Sequence, residues 1–126
     1  MKKPVILFSG MMLAGYAAFV QADVKIGVTL CATGPAASLG IPVKKGLELL
    51  PRTIAGENIQ WIILDDATDP TAASKNARKL VSEENVDLLV GSNITPNSLA
   101  VLEVAAESHT PAIPIAGASM LVTPMD

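Results

Sequence analysis

The stretch VKIGVTLCATGPAASLG, residues 24–40, constrains this chain more than any other. Its first seven residues are an apolar run of the kind that forms a strand buried on both faces. The chain then turns through Thr33, Gly34, Pro35 and two alanines, and a helical pattern sets in near Ile41. A buried strand that passes through a small-residue loop into a helix opens a parallel α/β unit. In such units ligands lie outside the carboxyl ends of the strands, where the winding reverses. Residues 31–40 are therefore expected to form one wall of a crevice.

The remainder repeats that unit. Val43, Leu47, Leu50 and Ile54 recur at helical spacing, with Pro42 suited to a first turn and Pro51 to an end or a kink. The run IQWIIL, residues 59–64, predicts a second strand, set nearer the sheet edge by Gln60 and Trp61. Asp69 reads as an N-cap with Pro70 at the first helical position. Ala73, Ala77, Leu80 and Val81 then make an inner face, opposite Lys75, Arg78, Lys79 and Ser82. A third strand is expected over 86–90, ended by Gly91, and a helix follows with Leu99, Leu102 and Ala106 on one face. His109 falls at the end of that helix as a surface or capping residue. Residues 112–116 predict a fourth strand, shortened or placed at an edge by Pro111 and Pro114. The order β-α-β-α-β-α-β, with right-handed crossovers, predicts a three-layer α/β fold whose parallel sheet runs 2-1-3-4. The switch point then lies between the first and third strands.

Residues 1–22 are excluded from that fold. Lys2 and Lys3 precede an apolar run that ends at Val20-Gln21-Ala22, the layout of a secretory signal peptide cut after Ala22. A transmembrane anchor needs ~20 apolar residues; this run is shorter and broken by Ser9, Gly10 and Gly15. The expectation is export to a bacterial periplasm with no stable membrane anchor after cleavage, and one domain over residues 23–126. The mean hydropathy of +0.45 is raised by this leader. A net charge of −3 and no Lys/Arg cluster argue against a nucleic-acid partner. Cys31 is the only cysteine, so no internal disulfide can form, and it is expected to fill space at a strand end.

The loops after the first, third and fourth strands carry Thr33, Ser38, Ser92, Asn93, Thr95, Asn97 and Ser119, with no charged side chain among them. Hydroxyls and helix-start amides suit a carboxylate or other small anion, and offer no general base. A dinucleotide fingerprint is absent, as is the Gly-Lys-Ser/Thr of a phosphate-binding loop. Asp65, Asp66 and Asp69 are assigned to capping or to a place away from the switch point. No enzyme activity, cofactor or metal is expected.

At this point the segments VTLCATGPAASLG, LDDATDPTAASKNARKL, VDLLVGSNITPNSLA and TPAIPIAGAS carry a resemblance. In this order they resemble the first lobe of periplasmic Leu/Ile/Val-type substrate-binding proteins, the receptors of ATP-binding-cassette (ABC) importers. The resemblance implies a type I periplasmic binding protein lobe, here incomplete, and an inner-membrane permease as partner. It implies ligands that are branched-chain or other amino acids or small carboxylates, aromatic ones included. It implies ligand contacts at Ser38 and Leu39 after the first strand, at Thr95 after the third, and at Gly117, Ala118 and Ser119 after the fourth; the polar chemistry of the third-strand loop adds Ser92 and Asn93 as candidates. Gly117 and Ser119 stand where the family usually has Ala and Thr, and Ile94-Thr95-Pro96 replaces a serine-rich loop. The second lobe has no counterpart in this sequence, so a one-walled site that binds weakly or not at all is expected. The same lobe type also serves as the sensing domain of regulators, and a fragment without function of its own is the remaining alternative.

Overall fold

The computed structural model describes residues 23–121. The proposed leader at 1–22 lies outside them. The elements follow as β1 (Val24–Leu30), α1 (Ala37–Glu48), β2 (Thr53–Ile54), β3 (Glu57–Asp65), α2 (Pro70–Ser82), β4 (Leu88–Gly91), α3 (Thr95–Ser108) and β5 (Ala112–Ile113). A 3-10 turn, Ser119–Leu121, closes the described chain. Among the described residues no helix is long and apolar enough to cross a membrane.

The sheet runs β2-β3-β1-β4-β5. β1 lies between β3 and β4 and is parallel to both, with Gly27 level with Ile62 on one side and Leu89 on the other. β5 joins β4 in parallel, Leu89 beside Ala112. The four parallel strands thus take the expected order, and the winding reverses between β1 and β4. The expectation of a purely parallel sheet is corrected by β2, which pairs antiparallel with the start of β3. Ala55 and Gly56 form the connecting turn, both at positive φ (53° and 89°). That backbone matches the twist of a tight hairpin.

The core lies between the sheet and the pair α2–α3. Leu80 and Leu89 are wholly buried there with Ala73, Ala77, Val101, Val104 and Ala105. Gly27 opens the space: a Cβ on it would stand 3.0 Å from both Leu80 Cδ1 and Val86 Cγ1. α2 starts where expected, with Asp69 Oδ1 accepting from the Ala72 N–H at 2.8 Å.

Element boundaries and one buried face differ from expectation, β4 for example running Leu88–Gly91. α1 begins at Ala37, so Pro42 sits inside the helix and Ser38 and Leu39 belong to its first turn. The early start is set by tertiary ties: the Ala36 N–H donates to Thr68 Oγ1, and Thr68 Oγ1 donates to the Thr33 carbonyl. β5 stops at Ile113, since Pro114 has no N–H to continue the ladder. α3 buries Asn97, Ser98, Val101, Val104 and Ala105, while Leu99 and Leu102 are half-buried and Ala106 is exposed. Polar and apolar residues are not segregated on opposite faces of this helix, so periodicity alone could not choose its face.

Candidate functional site

The carboxyl ends of β1, β4 and β5 open onto one edge of the sheet. The loop after β1 is fixed by the end of β3. Asp65 Oδ1 accepts from the N–H groups of Ala32, Thr33 and Ala67 at 3.0, 3.1 and 2.9 Å, and Oδ2 accepts from Thr33 Oγ1 at 2.6 Å. Burial pushes the Asp65 carboxyl up, but the bonds from Thr33 and from the three amides outweigh it and hold it below the usual carboxylate range.

Asp66 occupies the centre of a second, deeper group. It is wholly buried, as are Thr29, Ser92, Asn97 and Ser98. Its Oδ2 accepts from Ser92 Oγ at 2.6 Å and Thr29 Oγ1 at 3.2 Å, and its Oδ1 accepts from the Thr68 N–H at 3.1 Å. Cys31 Sγ lies 3.4 Å from Ser92 Oγ and 3.8 Å from Asn97 Nδ2. The Ser92 N–H donates to Ser98 Oγ at 2.9 Å, which anchors the β4 end to the first turn of α3. Placing Asp65 and Asp66 away from the switch point is therefore corrected. β3 lies beside β1 with Asp65 level with Leu30, so the next carboxylate reaches under β1 to the β4 loop. Cys31 is buried at a strand end as expected, but it is hydrogen-bonded as well as space-filling. Burial pushes its thiol up, and the Asp66 carboxylate adds to the rise. Such a thiol is not an activated nucleophile.

The expected site residues divide by depth. Ser38 and Leu39 are exposed on α1, with Leu39 53% exposed. Ser92 is wholly buried and gives its proton to Asp66, so it lies beneath the crevice surface. Asn93 is half-buried, and its Oδ1 accepts from the Cys31 N–H at 3.2 Å, tying the β4 loop to the β1 loop. Thr95 is half-buried and opens α3, whose N-cap, Ile94, provides no side-chain cap. Gly117 and Ser119 are exposed and Ala118 half-buried; the 3-10 turn they lead into touches α3. The β1 and β4 loops therefore meet at the start of α3, joined by hydrogen bonds, while the turn after β5 touches α3. Sequence reasoning misses the buried roles of Thr29, Asp66, Asn97 and Ser98. The pair Asp65-Asp66 closing an apolar strand is the one local signal for them. Among the described residues no three His, Cys, Asp or Glu side chains gather as a metal site would need.

The profile of a periplasmic binding protein matches residues 23–124. The chain belongs to the periplasmic binding protein family. A Leu/Ile/Val-binding protein homologue of Brucella abortus is 33% identical over 117 residues, 88% of this chain and 29% of the relative. An extracellular ligand-binding receptor from Rhodopseudomonas palustris HaA2 superposes with a TM-score of 0.80 at 52% identity, covering 84% of this chain and 29% of that one. A solute-binding protein of an ABC transporter from Rhodopseudomonas palustris BisB5, solved with 3,4-dihydroxybenzoic acid, superposes with a TM-score of 0.74 at 31% identity. That match covers 79% of this chain and 29% of that one. The chain thus spans under a third of the length of these relatives. The family and the α/β architecture expected from the sequence are both met.

Proposed function

We propose that residues 23–126 form the first-lobe wall of a solute receptor that serves an ABC importer in the periplasm, delivered there by the leader at 1–22. The ligand is an amino acid or a small carboxylate, aromatic acids included. The observation that carries this reading is the uncapped start of α3, on which the β1 and β4 loops converge at the carboxyl edge of the sheet. An uncapped helix start offers backbone N–H groups to an anion; half-buried Thr95 in the first turn carries such a donor, whereas Pro96 has none and Asn97 is wholly buried. Family membership supports the same reading, as do the Leu/Ile/Val-binding relative and the neighbour holding an aromatic acid. The permease is the partner implied, and binding rather than catalysis is the role.

Residues 23–126 supply one wall of the crevice, and one wall by itself leaves most of a small ligand in water. The test is an amide NMR titration of the cleaved chain with leucine and with 3,4-dihydroxybenzoate. Shifts confined to residues 93–97, 117–119 and the first turn of α1, saturating only at millimolar ligand, are the expected result. No localised shift with either probe would reject the receptor reading. A submillimolar Kd would reject the one-walled site.

A further inference from the structure

Asp66 faces hydrogen-bond donors only, the Thr68 N–H on Oδ1 and the hydroxyls of Ser92 and Thr29 on Oδ2. It is wholly buried and has no ion-pair partner among the described residues. A buried charge without a cation is a weak source of stability, because apolar side chains of similar volume commonly do as well or better. Its position therefore asks for another explanation, and the direction of the surrounding bonds supplies one. Ser92 has a single proton and gives it to Asp66, so Ser92 Oγ can only accept from Cys31. The Cys31 sulfur, having given its proton, accepts from Asn97 Nδ2. The Asn97 side-chain oxygen Oδ1 is left buried without a partner among the described residues, in the first turn of α3. The bonds run one way, from Asn97 through Cys31 and Ser92 to the carboxylate.

We propose that Asp66 is the positioning residue of the crevice wall, the acceptor that orders the Asn97–Cys31–Ser92 hydrogen bonds in one direction and holds the uncapped start of α3 against β1. Calling the wall a ligand wall rests on the function proposed above; the ordering of the bonds does not. No ligand contact is assigned to Asp66. It acts through Ser92, whose neighbour Asn93 ties the β4 loop to Cys31 and whose own N–H ties it to Ser98 of α3.

Cys31 is the only cysteine, so the S–H stretching band of the chain reports on this one bond. In the native chain the band lies below that of the urea-unfolded chain, as for a donating thiol. Asp66→Asn puts an amide that donates against Ser92, which frees the Ser92 proton for Cys31, and the band moves up toward the unfolded position. A band that stays in place in a natively folded Asp66→Asn chain overturns the proposal. Should that variant fail to fold, Ser92→Ala removes the acceptor of the thiol and must raise the band; an unmoved band is again fatal. Thr29→Val deletes the other hydroxyl on Asp66 and leaves the band unmoved. A shift there as large as in Asp66→Asn would mean general loosening, and the ordering would be refuted. NMR titration with leucine and 3,4-dihydroxybenzoate separates the two readings. If the native chain binds neither probe, the receptor wall falls while the S–H bands still decide the ordering. If it binds, Asp66→Asn and Ser92→Ala weaken binding about tenfold or more and Thr29→Val does not; equal affinities in all four chains would overturn the positioning role.

Discussion

Gly40 in α1 lies directly over the carbonyl of Cys31 at the end of β1, so close that a Cβ on Gly40 would overlap the carbonyl oxygen and carbon. It is the only buried residue of that helix. The obstacle is backbone, which cannot swing aside as a flexible side chain could, so Gly40→Ala must push α1 off the strand end. The expected cost is ~1–3 kcal/mol. Gly46, in the same helix, has nothing within 4 Å of where an added methyl would stand. There the alanine should stabilise by roughly 0.5–1 kcal/mol through helix propensity. Urea unfolding midpoints of the two variants should move in opposite directions, and movement in the same direction would refute the close contact.

Asp69 caps α2 through the Ala72 N–H, with Pro70 following it in the first turn. Asp69→Ala leaves that amide to solvent and should cost about 1 kcal/mol. Asp69→Ser restores an acceptor and should recover most of the loss. Urea denaturation of the three chains is the measurement, and a serine variant no better than alanine would count against capping.

The ease of reading that cap from sequence contrasts with the fate of Asp66. Asp69-Pro70 is a local signal, since the partner lies three residues on. Residues 24–30 and the order of the parallel strands are equally legible, because apolar runs and connection lengths are local properties. Asp66 meets Ser92, 26 residues away, only because β3 and β4 flank the same strand. No spacing rule carries that pairing, so sequence reasoning sets both crevice carboxylates too far out. The expected start of α1 is late for a related reason. Gly40 and Pro42 both weaken a helical pattern, and the ties that start the helix at Ala37 come from Thr68 on another loop. The burial of Asn97 and Ser98 shows the same limit, because a polar pair facing inward is intelligible only with its distant partners known.

Asp65 gives the chain a dependence on acid with a definite sign. Its carboxyl is held below the usual carboxylate range in the folded chain, chiefly by Thr33 and three amides acting against burial. A depressed folded value stabilises fully above the unfolded carboxylate range, and the contribution is lost as pH falls through the folded value. Asp65→Asn should therefore lower the unfolding midpoint at neutral pH. Its deficit against the native chain should shrink steadily as pH falls below the usual carboxylate range. A deficit that is constant with pH, or that grows in acid, would contradict the charge-assisted bonds to the β1 loop.

Cys31 should be a slow thiol. It is wholly buried, and burial together with the Asp66 carboxylate pushes its ionisation up, so the thiolate that reagents attack is scarce and enclosed. Labelling by a disulfide reagent at neutral pH should proceed far more slowly in the native chain than in the urea-unfolded one. The native rate should follow the frequency with which the β1 and β4 loops open. Ser92→Ala and Asp66→Asn both cut the ties between those loops and should speed labelling. Arg78→Ala, which removes only the exposed pair with Glu107, should not. Equal native rates in all four chains would mean that Cys31 is reached by a route independent of the buried network. Acceleration in the first two alone would locate the opening at the junction of β1, β4 and α3.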